Sequence, residues 1–495
     1  MNTPSHIRVL CLVFLLGSPL SAAAQQRTDQ CFICHAALGD PPSQLFVRDI
    51  HAKKGVKCAD CHGGDASSDD ADKAMSPSAG FMGVPLGDRI SEVCGACHSH
   101  AERMSAFGSR LPIGQLEMLK AGVHGKPSLK GGERLAECTT CHGAHGIVPV
   151  QDPRSPVYPL NVTKTCSRCH ADASYMRAYN LKLPVDQMEK YRTSVHGVRN
   201  AKGDPRAAEC ASCHGSHDIR PAGDVKSRVY AANLPGTCAR CHSDKERMAP
   251  YKIPTDQFEL YAKSVHGVGL LEKHDLSSPA CNDCHGNHGA TPPGLESISK
   301  VCGTCHALNA ELFASSPHKT AFYSRKLPEC ETCHGNHGIV AATEQLLGIT
   351  PEAVCSRCHT STDNVRGFQA AGAMRLITDS LEQETGRARS LVQEAEQKGM
   401  EISEAKFKLR DVRQSRLEAR TMVHAFNEAR YREVIIKGRT NAETVAAEAS
   451  TQIDEYYFRR WGLGISTILI GLLAGSLYLW LRRIEALQKT RAPQT

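Results

Sequence analysis

Residues 281–289 read CNDCHGNHG. Two cysteines and two histidines stand within nine residues, and a glycine follows each histidine. A tetrahedral zinc site would account for one such cluster taken alone. The rest of the chain tests that reading. Setting aside Cys11, every cysteine falls into Cys-x-x-Cys-His, and the pattern occurs eleven times. The motifs begin at Cys31, Cys58, Cys94, Cys138, Cys166, Cys210, Cys238, Cys281, Cys302, Cys330 and Cys355.

Zinc gives no reason for a histidine to follow every second cysteine, and neither does a disulfide framework. Covalent haem does. Two thiols three positions apart on one turn add to the two vinyl groups of one haem, and the adjoining histidine becomes an axial ligand of its iron. The expected thioether pairs are Cys31 and Cys34, Cys58 and Cys61, Cys94 and Cys97, Cys138 and Cys141, Cys166 and Cys169, and Cys210 and Cys213. Cys238 and Cys241, Cys281 and Cys284, Cys302 and Cys305, Cys330 and Cys333, and Cys355 and Cys358 complete the set of eleven haems c. The proximal ligands are His35, His62, His98, His142, His170, His214, His242, His285, His306, His334 and His359.

A longer period overlies the motif. SVHG at 194–197 aligns with SVHG at 264–267, AGVHG at 121–125 fits the same place, and SPHK at 316–319 fits loosely. A CxxCHGxH motif then follows at 138, 210, 281 and 330, and a bare CxxCH after each. The chain is expected to hold a lone haem and then five two-haem cassettes, the first degenerate. A low-spin haem wants a ligand on each face, and the recurrent histidines are its source. The distal candidates are His51, His124, His145, His196, His217, His266, His288, His318 and His337, with His100 and His274 as less regular ones. The first three motifs are short of nearby distal histidines, so the iron of Cys31 and Cys34, or that of Cys94 and Cys97, is expected to be ligated differently. Met104, Met176 and Met248 each lie six residues past a proximal histidine and are read as packing groups.

The first 24 residues carry His6 and Arg8, an apolar run from Val9 to Leu20, and Ala22-Ala23-Ala24, the pattern of a secretory signal peptide. Residues 461–481, WGLGISTILIGLLAGSLYLWL, are uncharged, long enough to cross a bilayer, and have the two tryptophans at their ends. Between about 367 and 458 cysteine and proline vanish, and Glu, Arg, Ala, Gln and Lys dominate. Three helices are expected there, at 368–397, 400–436 and 441–458, broken at Gly399 and Gly438. Phe407, Val412, Met422, Val423 and Phe426 are expected on the apolar stripe. His424 is read as an ordinary helix histidine. The predicted fold is mainly α with much irregular coil: a multihaem repeat, long antiparallel helices, and one C-terminal transmembrane helix. Its parts are a signal peptide (1–24), a haem region (25–360), a helical stalk (361–458), a membrane helix (459–483) and a cytoplasmic tail (484–495).

The chain's formal charge is +7. Each haem adds two propionates, so eleven of them turn the loaded protein acidic, and reduction makes it more so. The basic side chains are read as propionate partners, nucleic-acid binding has no support, and reduction is expected to couple to proton uptake. With its CxxCH motifs and CHGxHG repeats over residues 31–359, the chain resembles the bis-histidine multihaem c-type cytochromes of bacterial respiration. The resemblance implies closely spaced haems that conduct electrons. It implies a membrane quinol-oxidising subunit as donor and a periplasmic or outer-membrane cytochrome as acceptor. The signal peptide, where the charges flanking the span are ambiguous, implies that the haem region is exported across the cytoplasmic membrane and the short tail stays inside. The small quinol dehydrogenases of that superfamily use an N-terminal anchor, whereas this chain's span is C-terminal. The rival is a multihaem oxidoreductase of the nitrite or hydroxylamine type with one open iron. The CxxCK motif that would signal it is absent from the sequence.

Overall fold

The computed structural model describes residues 29–127, 135–294 and 298–491. The expected signal peptide lies outside the described residues. The chain divides into two compact units, Met1–Arg228 and Val229–Thr495. The first holds six of the motifs; the second holds five, together with the long helices. The described residues are mainly helical, with much coil between short helices and no strand.

Most of the motifs are of two structural kinds. Where glycine follows the histidine, the motif is a short helix that stops at once: Cys58–His62, Cys138–His142, Cys210–His214 and Cys281–His285. Gly63, Gly143, Gly215 and Gly286 have φ between 69° and 86°. Their ψ values lie near ±170°, a region essentially restricted to glycine. The glycine turns the chain so that the second histidine leaves its own motif. The bare motifs at 94, 166 and 238 instead close longer helices, Arg89–His98, Val162–His170 and Leu234–His242.

The SVHG segments are also built around a close approach. The Ser194 hydroxyl donates to Tyr191 O at 2.6 Å and accepts from Gly197 N at 2.9 Å. Ser264 repeats this with Tyr261 O and Gly267 N at 2.6 and 3.0 Å. A Cβ on Gly197 or Gly267 would fall 1.9 Å from the preceding tyrosine carbonyl. The kinked entry that delivers His196 and His266 thus requires glycine there. Met104, Met176 and Met248 are buried, in keeping with a packing role.

The stalk consists of three helices, α1 (Val365–Gln397), α2 (Ser403–Met422) and α3 (Glu428–Arg491). α3 packs on both α1 and α2. Their seam is Ala388, Val392, Ala395, Ala405, Leu409, Val412, Ala442, Val445, Ala446 and Ala449, joined by Ile402 and Ile453. Alanines allow close helix approach but read weakly as an apolar stripe, and Phe407, expected in the seam, is 60% exposed. Gly399 breaks the chain as expected, with φ +73°. Gly438 does not: it lies inside α3, where a Cβ would meet Ser415 Cβ at 2.9 Å and Leu381 Cδ1 at 3.1 Å. The real break is at Val423–Phe426, which leaves the helix with Phe426 at φ +47°. The segment Glu428–Thr490 is long and apolar enough to cross a membrane, and its apolar stretch is exposed throughout.

Candidate functional site

The repeat brings histidines together in pairs. Within Met1–Arg228, ring centroids lie 5.9 Å apart for His51 and His98, 6.1 Å for His62 and His145, 6.0 Å for His124 and His170, and 6.2 Å for His142 and His217. Within Val229–Thr495 the separations are 6.3 Å for His266 and His306, 5.9 Å for His285 and His337, and 5.9 Å for His318 and His359. Each pair joins one expected proximal and one expected distal histidine. A metal–imidazole bond is about 2 Å and the ring centre lies roughly 1 Å beyond, so two imidazoles on one iron place their centroids roughly 6 Å apart. The residues fit a haem iron between them. Among the described residues no three His, Cys, Asp or Glu side chains converge as a metal cluster, so the arrangement is one of axial pairs.

An eighth pair was not foreseen from the sequence. His424, set aside as an ordinary helix residue, lies 6.0 Å from His334 with the rings 25° from parallel. Its Nδ1 is 3.0 Å from Thr421 O, which orients the ring. The neighbouring Phe426 ring packs on His318 at 3.8 Å. The turn between α2 and α3 is therefore inserted into the last cassette. This is the site of the positive φ at Phe426, a backbone state uncommon outside glycine and often found at functional positions.

The pairs follow two rules. A histidine borne on the SVHG-type helix meets the bare motif of its own cassette, as His124 meets His170. The second histidine of CHGxH reaches back to the previous cassette's first motif, as His145 meets His62 and His337 meets His285. Reach-back pairs are nearly parallel, at 10°, 13° and 12°. Own-cassette pairs are more steeply inclined, at 86°, 58°, 32° and 78°. The last cassette has no successor to reach back to His334, and His424 takes that place with a near-parallel ring.

Supporting groups hold several of these rings. His62 Nδ1 lies 2.9 Å from Gly83 O, and His285 Nδ1 lies 3.3 Å from Thr291 O. His51 Nδ1 lies 2.9 Å from Asp49 Oδ1, and this buried carboxylate also accepts from Ile147 N at 2.8 Å. Burial pushes His98, His124, His142, His145 and His170 below the ordinary imidazole value, and His318 to about 4. Neutral imidazole is the ligating form.

The motifs neighbour one another in chain order. In the first unit Cys58 lies beside Cys31, Cys61 beside Cys97, Cys94 against Cys138, Cys141 beside Cys166, and Cys166 against Cys210. In the second, Cys238 lies against Cys281, Cys284 beside Cys302, Cys302 against Cys330, and Cys333 beside Cys355. Sequence reasoning missed the arginines that tie neighbouring motifs. Arg168 of CSRCH donates to Thr140 O, and Arg357 of the second CSRCH donates to Thr332 O. The signal was available, because the same residue precedes the second cysteine in both. His35, His100 and His274 make no imidazole pair among the described residues, so neither of the two less regular candidates is placed opposite a proximal ring. His100 and His274 are exposed.

Repeated attachment motifs, axial imidazole pairs and their succession in space define a multihaem c-type cytochrome, with haem c as its cofactor. Residues 50–171 match the cytochrome c3 family, and residues 325–364 match the doubled CXXCH motif. The chain is also similar to a C-type polyheme cytochrome, OmcC, of Geobacter sulfurreducens, at 24% identity over 303 residues. That alignment covers 53% of this chain and 37% of the relative's length. No solved structure matches the chain.

Proposed function

We propose that this chain is a membrane-anchored electron wire carrying eleven haems. The observation that carries the reading is the unbroken neighbour order of the motifs within each unit, with paired imidazoles along it. Each bound haem supplies a one-electron couple between ferric and ferrous iron. The protein supplies the thioether cysteines, the proximal histidines and the distal set His51, His124, His145, His196, His217, His266, His288, His318, His337 and His424. His196 and His288 belong to it by their repeat positions. Two axial imidazoles keep an iron low-spin, so little has to move when it changes charge.

Residues 461–481 are the proposed anchor in the cytoplasmic membrane, with the haem region on the periplasmic side. The proposed donor is a quinol-oxidising membrane subunit, and the acceptor a periplasmic or outer-membrane cytochrome. Similarity to a polyheme cytochrome supports the electron-transfer part. Deleting residues 461–495 is expected to release a soluble red protein; retention in salt-washed membranes would contradict the anchor. Rapid mixing of the oxidised holoprotein with a substoichiometric reductant tests conduction. The electrons should spread over the haems within the reduction phase itself. Slow redistribution after it, as between isolated haems, would contradict the wire.

A further inference from the structure

Eight motifs have a paired second imidazole, and the repeat assigns His196 and His288 to two more, which leaves His35. This histidine closes the lone first motif on the helix Gln30–Ala37 and is half exposed. Its surroundings differ from those of the other proximal rings in two respects. No second imidazole lies opposite it among the described residues, and its Nδ1 sits 2.5 Å from Asp40 Oδ2. Where proximal Nδ1 contacts are seen elsewhere, at His62 and His285, the partner is a neutral backbone carbonyl. Asp40 is fixed as well as close. Its other oxygen accepts from Ser43 N at 2.9 Å, capping the helix Pro41–Phe46, so the carboxylate cannot easily swing away.

We propose that the iron held by Cys31, Cys34 and His35 has one axial position open to a small π-accepting ligand, with Asp40 as the positioning residue behind the proximal ring. The inference rests on the reading that this motif carries haem. A carboxylate on Nδ1 raises the basicity of a metal-bound imidazole and makes the iron more electron-rich. Such iron favours ligands that accept electron density back, of which carbon monoxide is the simplest probe. The open site stands at the first motif, beside Cys58 of the second, so a ligand bound there is in electronic reach of the next haem.

The test uses the full-length ferrous holoprotein titrated with carbon monoxide. One molecule per chain is expected, and none in the Cys31→Ala/Cys34→Ala variant. No uptake by the native protein, or uptake that persists in that variant, would overturn the assignment. Should the double variant fail to mature, Asp40→Asn carries the test. Asparagine caps a helix as well as aspartate does, so this change keeps the turn and removes only the charge. Resonance Raman of the reduced protein should then show one iron–histidine band moved to lower frequency, with uptake still one per chain. An unmoved band would remove Asp40 from the account. A full haem count without carbon monoxide uptake defeats this inference alone, whereas a missing haem at Cys31 defeats the reading beneath it.

Discussion

The haem repeat and the helical stalk solve the problem of a core in opposite ways. From 365 to 453 the chain buries an apolar seam of its own, with Leu381, Val412, Tyr431, Ile435, Ala442 and Val445 at 1% exposure or less. From 29 to 359 the buried apolar residues are scattered, and few lie as deep as Leu270, Pro235 and Ala353. The repeat is a scaffold of short helices, glycine turns and serine caps with its interior left for haem. A small apolar core cannot hold such a chain by itself, and prosthetic groups replace it. The stalk folds on its side chains, and the repeat folds on what it binds.

The largest expected effect comes from removing one haem. Cys281→Ala/Cys284→Ala should lower the pyridine haemochrome count by one and leave its cassette open to proteolysis. Leu381→Ala should cost about 2–5 kcal/mol, as for other buried leucines, and leave the haem count intact. If the cysteine variant melted like the native protein while the leucine variant lost haem, the contrast between the two regions would be wrong.

A smaller effect concerns the tie between the regions. Glu344, beside the last cassette, accepts from Arg420 Nη2 at 2.7 Å and from Arg416 Nη2 at 2.9 Å, both on α2. Burial alone would raise its carboxyl, but the hydrogen bonds from Arg420 and Arg416 prevail and hold it at about 2, against an ordinary 4.5. A carboxylate depressed on folding contributes stability above its unfolded value and loses it as pH falls toward the folded one. Melting temperatures between pH about 4.5 and 2 should therefore fall less steeply in Glu344→Gln than in the native protein, and the two should converge near pH 2. The effect is modest, because the pair is partly exposed and salt screens it. Parallel curves would show that Glu344 does not couple the regions.

The repeat was legible in the sequence because its chemistry is written in fixed spacings. The CxxCH motifs, the recurrent SVHG and CHGxH histidines, the helical character and the apolar segment were all visible there. What the sequence concealed depends on contacts between distant segments. Which distal histidine meets which motif could not be read, since His145 reaches back over the motif at Cys94 to His62. Gly438 has the look of a helix break, yet it is a close-packing position against Ser415 and Leu381. The stalk seam hid in alanines, whose burial depends on helix approach rather than on hydropathy. His424 was missed because it stands outside every spacing rule. The clue was an imbalance: a reach-back scheme leaves the last cassette's first motif without a successor.

That residue joins the two regions into one account, and it gives the most direct test. In the full-length His424→Ala protein, carbon monoxide uptake and electron paramagnetic resonance should be measured beside the haem count. The account predicts eleven haems in both proteins, the loss of one low-spin signal of the near-parallel kind, and one carbon monoxide binding position more than in the native protein. An unchanged low-spin spectrum with unchanged uptake would show that His334 has its partner elsewhere and that the stalk is no part of the haem chain.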